Sequence, residues 1–498
     1  MTTRHLVTSF VLGIGLFLPS AWAQPPEPTR TPLVRTVDLD VGQSAEVELC
    51  DDSKATVKLV ELQETRDTVR AAVRRAVATV EVNGQRVQLV AAAYNLPTTI
   101  ADVRIDCAVT KGYTDGSTKK NVWGLANDAR LRLWPADSPL VDPATFSYPA
   151  KQKWFASDTQ MANVPVFVDG GEVPHRKQTY YHYGLDFGGA EGMVDVVAAT
   201  DGLVVSAAGK TLPGCEETPV AQRYDVVYVV DDRGWYYRYS HMQSIDKGIV
   251  PGQQVRRGQK VGVLGKEGGS GGWSHLHFDI KSRQPSGMWG NQAAYGFAWE
   301  AYQREYKPKI IAVARPHHLL WTGETATLDA TKSWSSAGTD LQYEWTFSDG
   351  TKATGATVER RYDKAGKYSE ILKLTDAAGR VDYDFQVVQV IDREEPEPLP
   401  PSVHAVYSPT FGIRPGDPVT FKTRTFRSDG GETWNFGDGT PPVRVKSDGN
   451  ARVHAPDGYA ATTHSFKAPG SYIVTVEHTG ARGAKATAHL HITVEKPN

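Results

Sequence analysis

A tryptophan-centred stretch occurs twice in the second half of the chain. "YEWTFSDGT" (343–351) returns as "TWNFGDGT" (433–440), with Trp345 and Trp434 89 residues apart. Each copy is followed by an aromatic residue, a turn and an alternating strand, "RRYDKAGKYSEILKLTD" and "HSFKAPGSYIVTVEH". Alternation at period two sends every second side chain to one face, so both copies read as sheet. Units of roughly 90 residues with evenly spaced strands fit two β-sandwiches, over 307–392 and 402–496. The second copy has the longer gap, 38 residues from Trp434 to Tyr472 against 23 from Trp345 to Tyr368. The charged, proline-rich "DREEPEPLPP" places a linker at 393–401.

The repeat resembles the polycystic-kidney-disease (PKD) domain, an immunoglobulin-like sandwich. Its W-x-F-G-D-G motif is intact from Trp434 to Gly439, and Ser348 replaces the first glycine in the earlier copy. The resemblance implies extracellular spacer or adhesion modules that bind surface protein or polysaccharide. A sandwich by itself says little about function. The acidic turns could hold calcium, but turn-forming Asp before Gly is the stronger reading. The linker implies independently folded sandwiches, so residues 308–498 are expected to be dispensable for hydrolysis of a small soluble peptide.

The chain has 498 residues, 40% hydrophobic and 22% charged, with a formal charge of −2. That balance excludes capture of nucleic acid by bulk field, so any partner is recognised locally. Arg4 and His5 precede an apolar run from Leu6 to Leu18, and Ala21-Trp22-Ala23 is an A-x-A cleavage signal. Residues 1–23 therefore read as a signal peptide, and residues 24–34 as a proline-rich spacer. The run is short for a membrane span and no other run is longer, so the mature chain is expected to be exported, periplasmic or extracellular, with no membrane span. Cys50, Cys107 and Cys215 are too few for a disulfide framework, although Cys50 and Cys107 could pair.

Residues 35–149 read as an N-terminal β accessory domain. "VATVEVNGQRVQLV" (77–90) is a hairpin with Asn83-Gly84 as a type I′ turn. "ETRDTVRAAVRRAV" before it fits a helix or a long strand. Residues 150–306 alternate short apolar runs with glycine turns, which predicts an antiparallel β domain. Asp201-Gly202 reads as another hairpin turn. The fold class is therefore mostly β and multidomain.

The chemistry lies in this central segment. In "YYHYGLDFGG" (180–189), His182 and Asp186 are four apart, and in extended chain both fall on one face. The same parity aligns His275 and His277 in "GGWSHLHFDI", and His241 ends "WYYRYSH". Zinc takes three or four N, O or S donors, and three protein ligands leave a position for water. Imidazoles near such a site suit proton transfer. Each element alone is weak, since a lone His is more often packed or exposed. The ordered set H-x-G-x-D, A-x-x-D-G-x-V, Y-S-H, G-Q-x-V-G-x-x-G, H-L-H-F is far more specific.

With that set in view, residues 178–285 resemble the lysostaphin-type zinc endopeptidases, the duplicated-hybrid-motif metallopeptidases. The resemblance implies His182, Asp186 and His277 as zinc ligands. It implies His241 and His275 as catalytic histidines. It also implies a peptidoglycan substrate, cut in cross-bridges or stem peptides. Trp273-Ser274 stand where the family has small residues or Pro, Asp279 stands where Glu is common, and the loop 209–223 is long. These departures bear on the substrate more than on the chemistry. Outside the set, His175, His317 and His318 read as surface or linker histidines. Tyr180, Tyr181 and Tyr239 could steady an oxyanion, with aromatic packing at least as strong a reading. The competing functions are an exported protease of glycine-rich proteins, a catalytically silent envelope-binding or regulatory protein, and an adhesin with a minor enzyme.

Overall fold

The computed structural model describes residues 25–92, 94–115, 117–119, 121–154, 164–165, 179–215, 218–397, 399–428, 430–448 and 458–496. The expected signal segment and His175 lie outside the described residues.

The N-terminal part is two four-stranded antiparallel sheets. Arg35–Leu39, Ala129–Pro135, Val103–Thr110 and Thr98–Ile100 form one; Ser44–Glu48, Lys54–Arg66, Val73–Val82 and Gln85–Val90 form the other. Apolar residues from both sheets, among them Val57, Val80, Ile105 and Leu131, make a shared core. Asn83 and Gly84 have φ of 47° and 83°, as the type I′ turn requires. The stretch left open between helix and strand is neither throughout. A turn near Asp67–Ala72 separates two paired strands, with the Asp67 carboxylate accepting the amides of Val69 and Arg70. No disulfide joins Cys50, Cys107 and Cys215. Cys107 is buried in one sheet, where burial pushes its thiol up to about 12, while Cys50 follows a strand of the other sheet.

The central segment carries an eight-stranded sheet. Its main path runs Lys210–Thr211, Gly202–Ala207, Val227–Val230, Tyr236–Ser240, His275–Arg283, Trp289–Gln292. Leu185–Gly188 joins the first half of His275–Arg283 on the side that Trp289–Gln292 takes in its second half. A second, three-stranded sheet holds Asp195–Val197, Lys260–Leu264 and Met242–Ile245. Strands on either side of Asp201-Gly202 fall in different sheets, so that dipeptide is a bend between layers and not a hairpin turn.

A helix, Tyr295–Tyr306, closes this segment and was not predicted. Its aromatics Tyr295, Trp299, Tyr302 and Tyr306 stand four, three and four apart, which is the helical period. It buries Phe297, Trp299 and Tyr302 against Phe187, Phe278 and Trp154. The same core takes in Trp134 from the N-terminal part and Ile311 and Val313 from the first sandwich.

The two C-terminal sandwiches are built around Trp345 and Trp434, both fully buried. Truncating such a side chain costs about 3–5 kcal/mol. The acidic turns are internally satisfied. Asp349 accepts the amide and hydroxyl of Thr351 and pairs with Arg360; Asp438 does the same with Thr440 and pairs with His464. Gly366–Asp376 of the first sandwich runs parallel to Lys485–Val494 of the second, with Lys367 opposite Ala486. The two units thus share one nine-stranded sheet. His317 is buried in the first sandwich and accepts the Val387 amide, and His318 is half-buried, so neither is a surface histidine.

Candidate metal centre

The strand His275–Arg283 is central to the site. Alternation sends Leu276, Phe278 and Ile280 into the core and His275, His277 and Asp279 to the opposite face. Leu185–Gly188 pairs with it in antiparallel register, which sets Asp186 opposite His277 and Gly188 opposite His275. On the other side Ser240, the last residue of Tyr236–Ser240, stands opposite His277.

His182 arrives by a different route from the one its spacing suggests. It precedes the strand, and Gly184 turns the chain between His182 and Asp186 with φ of 84°. A Cβ at Gly184 would lie 2.6 Å from the Phe278 carbonyl oxygen and 2.8 Å from Asp279 Cβ. Only glycine fits there, both for backbone conformation and for space. The turn, and not shared strand parity, brings His182 to Asp186.

Three donor atoms converge. His277 Nδ1 lies 2.9 Å from Asp186 Oδ1 and 3.0 Å from His182 Nε2, and His182 Nε2 lies 3.1 Å from Asp186 Oδ1. All three residues are buried, and they form a group able to hold a metal ion. Four-coordinate bonds of about 2.0–2.1 Å separate neighbouring ligand atoms by about 3.3 Å, so small outward shifts accommodate an ion. The electrostatics favour a cation as well. Burial alone would lower the His277 pKa, but the carboxylates of Asp186 and Asp279 outweigh it and hold it up to about 9. Burial alone would raise Asp186, yet the surrounding histidines hold it well below the carboxylate range. His277 thus keeps a proton among these carboxylates, in the place that a metal ion would take.

Asp279 completes the His277 ring. Its Oδ2 lies 3.2 Å from His277 Nε2, which leaves Nδ1 as the donor that faces Asp186. Arg238 bridges Asp279 at 3.4 Å and the Tyr183 hydroxyl at 3.3 Å. In the sequence Asp279 stands out only as a departure from Glu. Its place two residues after His277, on the same face, was the available signal.

His241 and His275 lie beside the group with ring centroids 4.7 Å apart. His241 has φ of 66°, directly after its strand, and its amide donates to Asp225 Oδ2. Its Nδ1 lies 2.6 Å from the Glu267 carbonyl oxygen. His275 Nδ1 lies 3.0 Å from the Trp273 carbonyl oxygen. A carbonyl only accepts, so each ring carries its proton on Nδ1 and presents a bare Nε2. His275 Nε2 is 3.6 Å from Asp186 Oδ1. Burial lowers both imidazoles, His241 to about 3 even against the pull of Asp225. Both rings are therefore neutral near pH 7. Asp225, pushed up by burial, is still held down to about 2 by His241 and Arg223. No spacing in the sequence pointed to Asp225 or Arg238.

All five residues singled out from the sequence thus meet in one place. Two of the three tyrosines do not, while Tyr180 borders the site, where burial first and then the charges of Tyr183 and Asp186 hold its hydroxyl pKa up. Tyr239 accepts the Ala199 amide and Tyr181 the Val73 amide, each inside a core. Tyr180 packs on Tyr183, with centroids 6.3 Å apart.

Residues 180–288 match the model of peptidase family M23, and residues 307–390 and 403–494 each match a PKD domain model. The chain carries an M23 peptidase domain followed by two PKD domains. Collagenase ColA of Clostridium perfringens is 30% identical over 81 residues, which is 16% of this chain and 7% of the collagenase. This chain therefore spans a small fraction of that relative's length. Among solved structures, Helicobacter pylori Csd3 is 15% identical, with 55% of this chain and 80% of that one covered at a TM-score of 0.20. The fibronectin(III)-like modules of Clostridium thermocellum CbhA are 12% identical, with 38% and 94% covered at a TM-score of 0.15. Neither overall superposition bears on function. Among the described residues no helix is long and apolar enough to cross a membrane.

Proposed function

We propose that this chain is an exported zinc metalloendopeptidase that hydrolyses peptide bonds in peptidoglycan, in cross-bridges or stem peptides. The observation that carries the reading is the triangle of His182 Nε2, Asp186 Oδ1 and His277 Nδ1 beside two imidazoles with free Nε2 atoms. Two imidazoles and one carboxylate suit zinc, and three protein ligands leave an open position. Zinc held there supplies Lewis acidity and brings the pKa of a water it holds toward about 7.

The remaining steps belong to side chains of this chain. His275 and His241 are neutral, with Nδ1–H anchored on carbonyls, so each Nε2 accepts a proton from the attacking water and returns it to the departing amine. A protonated Nε2 also steadies the developing oxyanion. Asp279 and Arg238 keep the His277 ring turned so that Nδ1 faces inward. A catalytically silent binding protein is disfavoured, because all five positions are kept and all five meet. The PKD domains and the segment 1–23 support export, and the PKD domains are candidates to bind surface protein or polysaccharide.

Digestion of purified peptidoglycan by the zinc-loaded protein, with product masses read out, tests the proposal. Fragments cut at cross-bridge or stem peptides support it. Fragments only from soluble glycine-rich proteins would move the substrate, and turnover of neither would remove the enzymatic reading.

A further inference from the structure

The turn that leads into His275 is rich in glycine, "GGSGGWS" over 268–274, with φ of 61°, 69° and 83° at Gly268, Gly271 and Gly272. Such a segment loses much conformational freedom when it is fixed. Its own domain holds part of it, through Ser270, whose hydroxyl donates to the Lys266 carbonyl and accepts the Gly272 amide.

The rest of the hold comes from the second PKD domain. Strands Ser402–Ser408 and Val419–Phe426 pair with His404 opposite Arg424 and Ser402 opposite Phe426. His404, Arg424 and Phe426 lie on one face of this sheet, and that face receives the turn. Arg424 Nη1 donates to the Gly272 carbonyl at 3.1 Å. The Trp273 ring stacks on Phe426, with centroids 5.1 Å apart and planes 14° apart, and lies 4.5 Å from the His404 ring. Lys422 donates to the Glu191 carbonyl at 2.7 Å, and the Glu191 carboxylate pairs with the buried Lys266 at the base of the turn.

One contact reaches the chemistry directly. The Ser274 amide donates to the Tyr459 hydroxyl at 2.9 Å, and that hydroxyl is hydrogen-bonded in turn to His404 Nδ1 at 2.7 Å. The Ser274 N–H and the Trp273 C=O belong to the same planar peptide unit. The Trp273 carbonyl is also the acceptor for His275 Nδ1–H, at 3.0 Å. A single rigid plane therefore carries Tyr459 on one edge and the His275 imidazole on the other. Rotating that plane breaks both bonds together. Ser274 also donates through its hydroxyl to the Gly189 carbonyl at 2.6 Å, just past the Asp186 strand, so the plane is tied to the ligand side too.

We propose that Tyr459 of the second PKD domain is a positioning residue of the peptidase site, which fixes the Trp273–Ser274 peptide so that its carbonyl holds His275 in the Nδ1–H tautomer with Nε2 free. This rests on His275 being the proton-handling group of the proposed peptidase. The second PKD domain is then part of the catalytic unit, and the expectation that residues 308–498 are dispensable on a small peptide is replaced by its opposite.

The test is Tyr459→Phe in the full-length, zinc-loaded protein. Phe keeps the ring and removes only the hydroxyl that bridges Ser274 and His404. The kcat on a small soluble peptide should fall roughly ten-fold, the scale of one lost hydrogen bond. KM, zinc stoichiometry and melting temperature should hold. The ¹⁵N–¹H resonance of His275 Nδ1–H should be lost to exchange, and the Ser274 amide should exchange faster. An unchanged kcat with an unchanged resonance would overturn the proposal. So would a kcat that falls only in step with zinc content and melting temperature, since that marks a merely structural contact. If the wild-type protein cleaves no peptide, the enzymatic reading fails, while the His275 resonance and Ser274 exchange still decide whether Tyr459 governs the ring.

Discussion

Asp186 stands opposite His277 in an antiparallel ladder, and its Oδ1 lies 2.9 Å from the His277 Nδ1. Strand pairing thus sets two of the three proposed ligands, with backbone hydrogen bonds rather than a flexible loop fixing the distance. Replacement of the carboxylate should be felt in the metal before it is felt in the fold. One zinc per chain is expected by elemental analysis of the purified protein, and Asp186→Ala should reduce it sharply. Full zinc content in Asp186→Ala would reassign that ligand.

Ligand and catalyst should separate within the His275–His277 pair. His277→Ala should lose both metal and turnover. His275→Ala and His241→Ala should keep most of the metal while turnover falls by roughly 10²–10⁴-fold, the scale of a lost proton-transfer group. Paired zinc titration and peptidase rates on the three folded variants decide it. A metal-free His275→Ala beside a metal-replete His277→Ala would reverse the roles.

Asp279 acts on the metal through His277, at 3.2 Å from its Nε2. Asp279→Asn should weaken zinc binding about 10- to 100-fold, the usual effect of losing the carboxylate behind a ligating imidazole. Competition with a chelator of known affinity measures this directly. Equal affinity in the variant would show that Arg238 and Tyr183 suffice to orient the ring.

Gly184→Ala combines a positive φ with a Cβ 2.6 Å from the Phe278 carbonyl oxygen. The backbone strain alone is worth about 1–3 kcal/mol, and the contact adds to it. Because Gly184 is the turn between His182 and Asp186, zinc affinity should fall along with thermal stability. A variant with wild-type melting temperature and wild-type zinc affinity would refute this account of the turn.

How much of this was readable in the sequence depends on which physical rule each residue obeys. Period-two alternation gave His275 and His277 a common face, and it would have given Asp279 the same face. It failed for His182, because Gly184 takes the chain out of extended conformation before the strand begins. The helix Tyr295–Tyr306 was missed although its aromatics keep helical spacing, since the surrounding sequence reads as β throughout. His317 reads in the sequence as a surface or linker residue, but it lies buried in the first sandwich and accepts a backbone amide within it. The Tyr459 contact had no local signal at all. It joins residues 185 apart in the chain, and nothing in either segment marks the other.

The parallel junction of Gly366–Asp376 with Lys485–Val494 has a further consequence. An open strand edge presents unpaired amides and carbonyls that recruit other chains. Here the last strand of one sandwich lies against a strand of the other, and His489 and His491 reach across to Ser369 and Asp382. The bridge at Lys367 and Ala486, with these two contacts, therefore covers one short stretch of edge on each sandwich. A cut in the proline-rich stretch between them would not release two inert beads. It would uncover a short stretch of open edge on each, at Lys367 and at Ala486, free to pair with other chains.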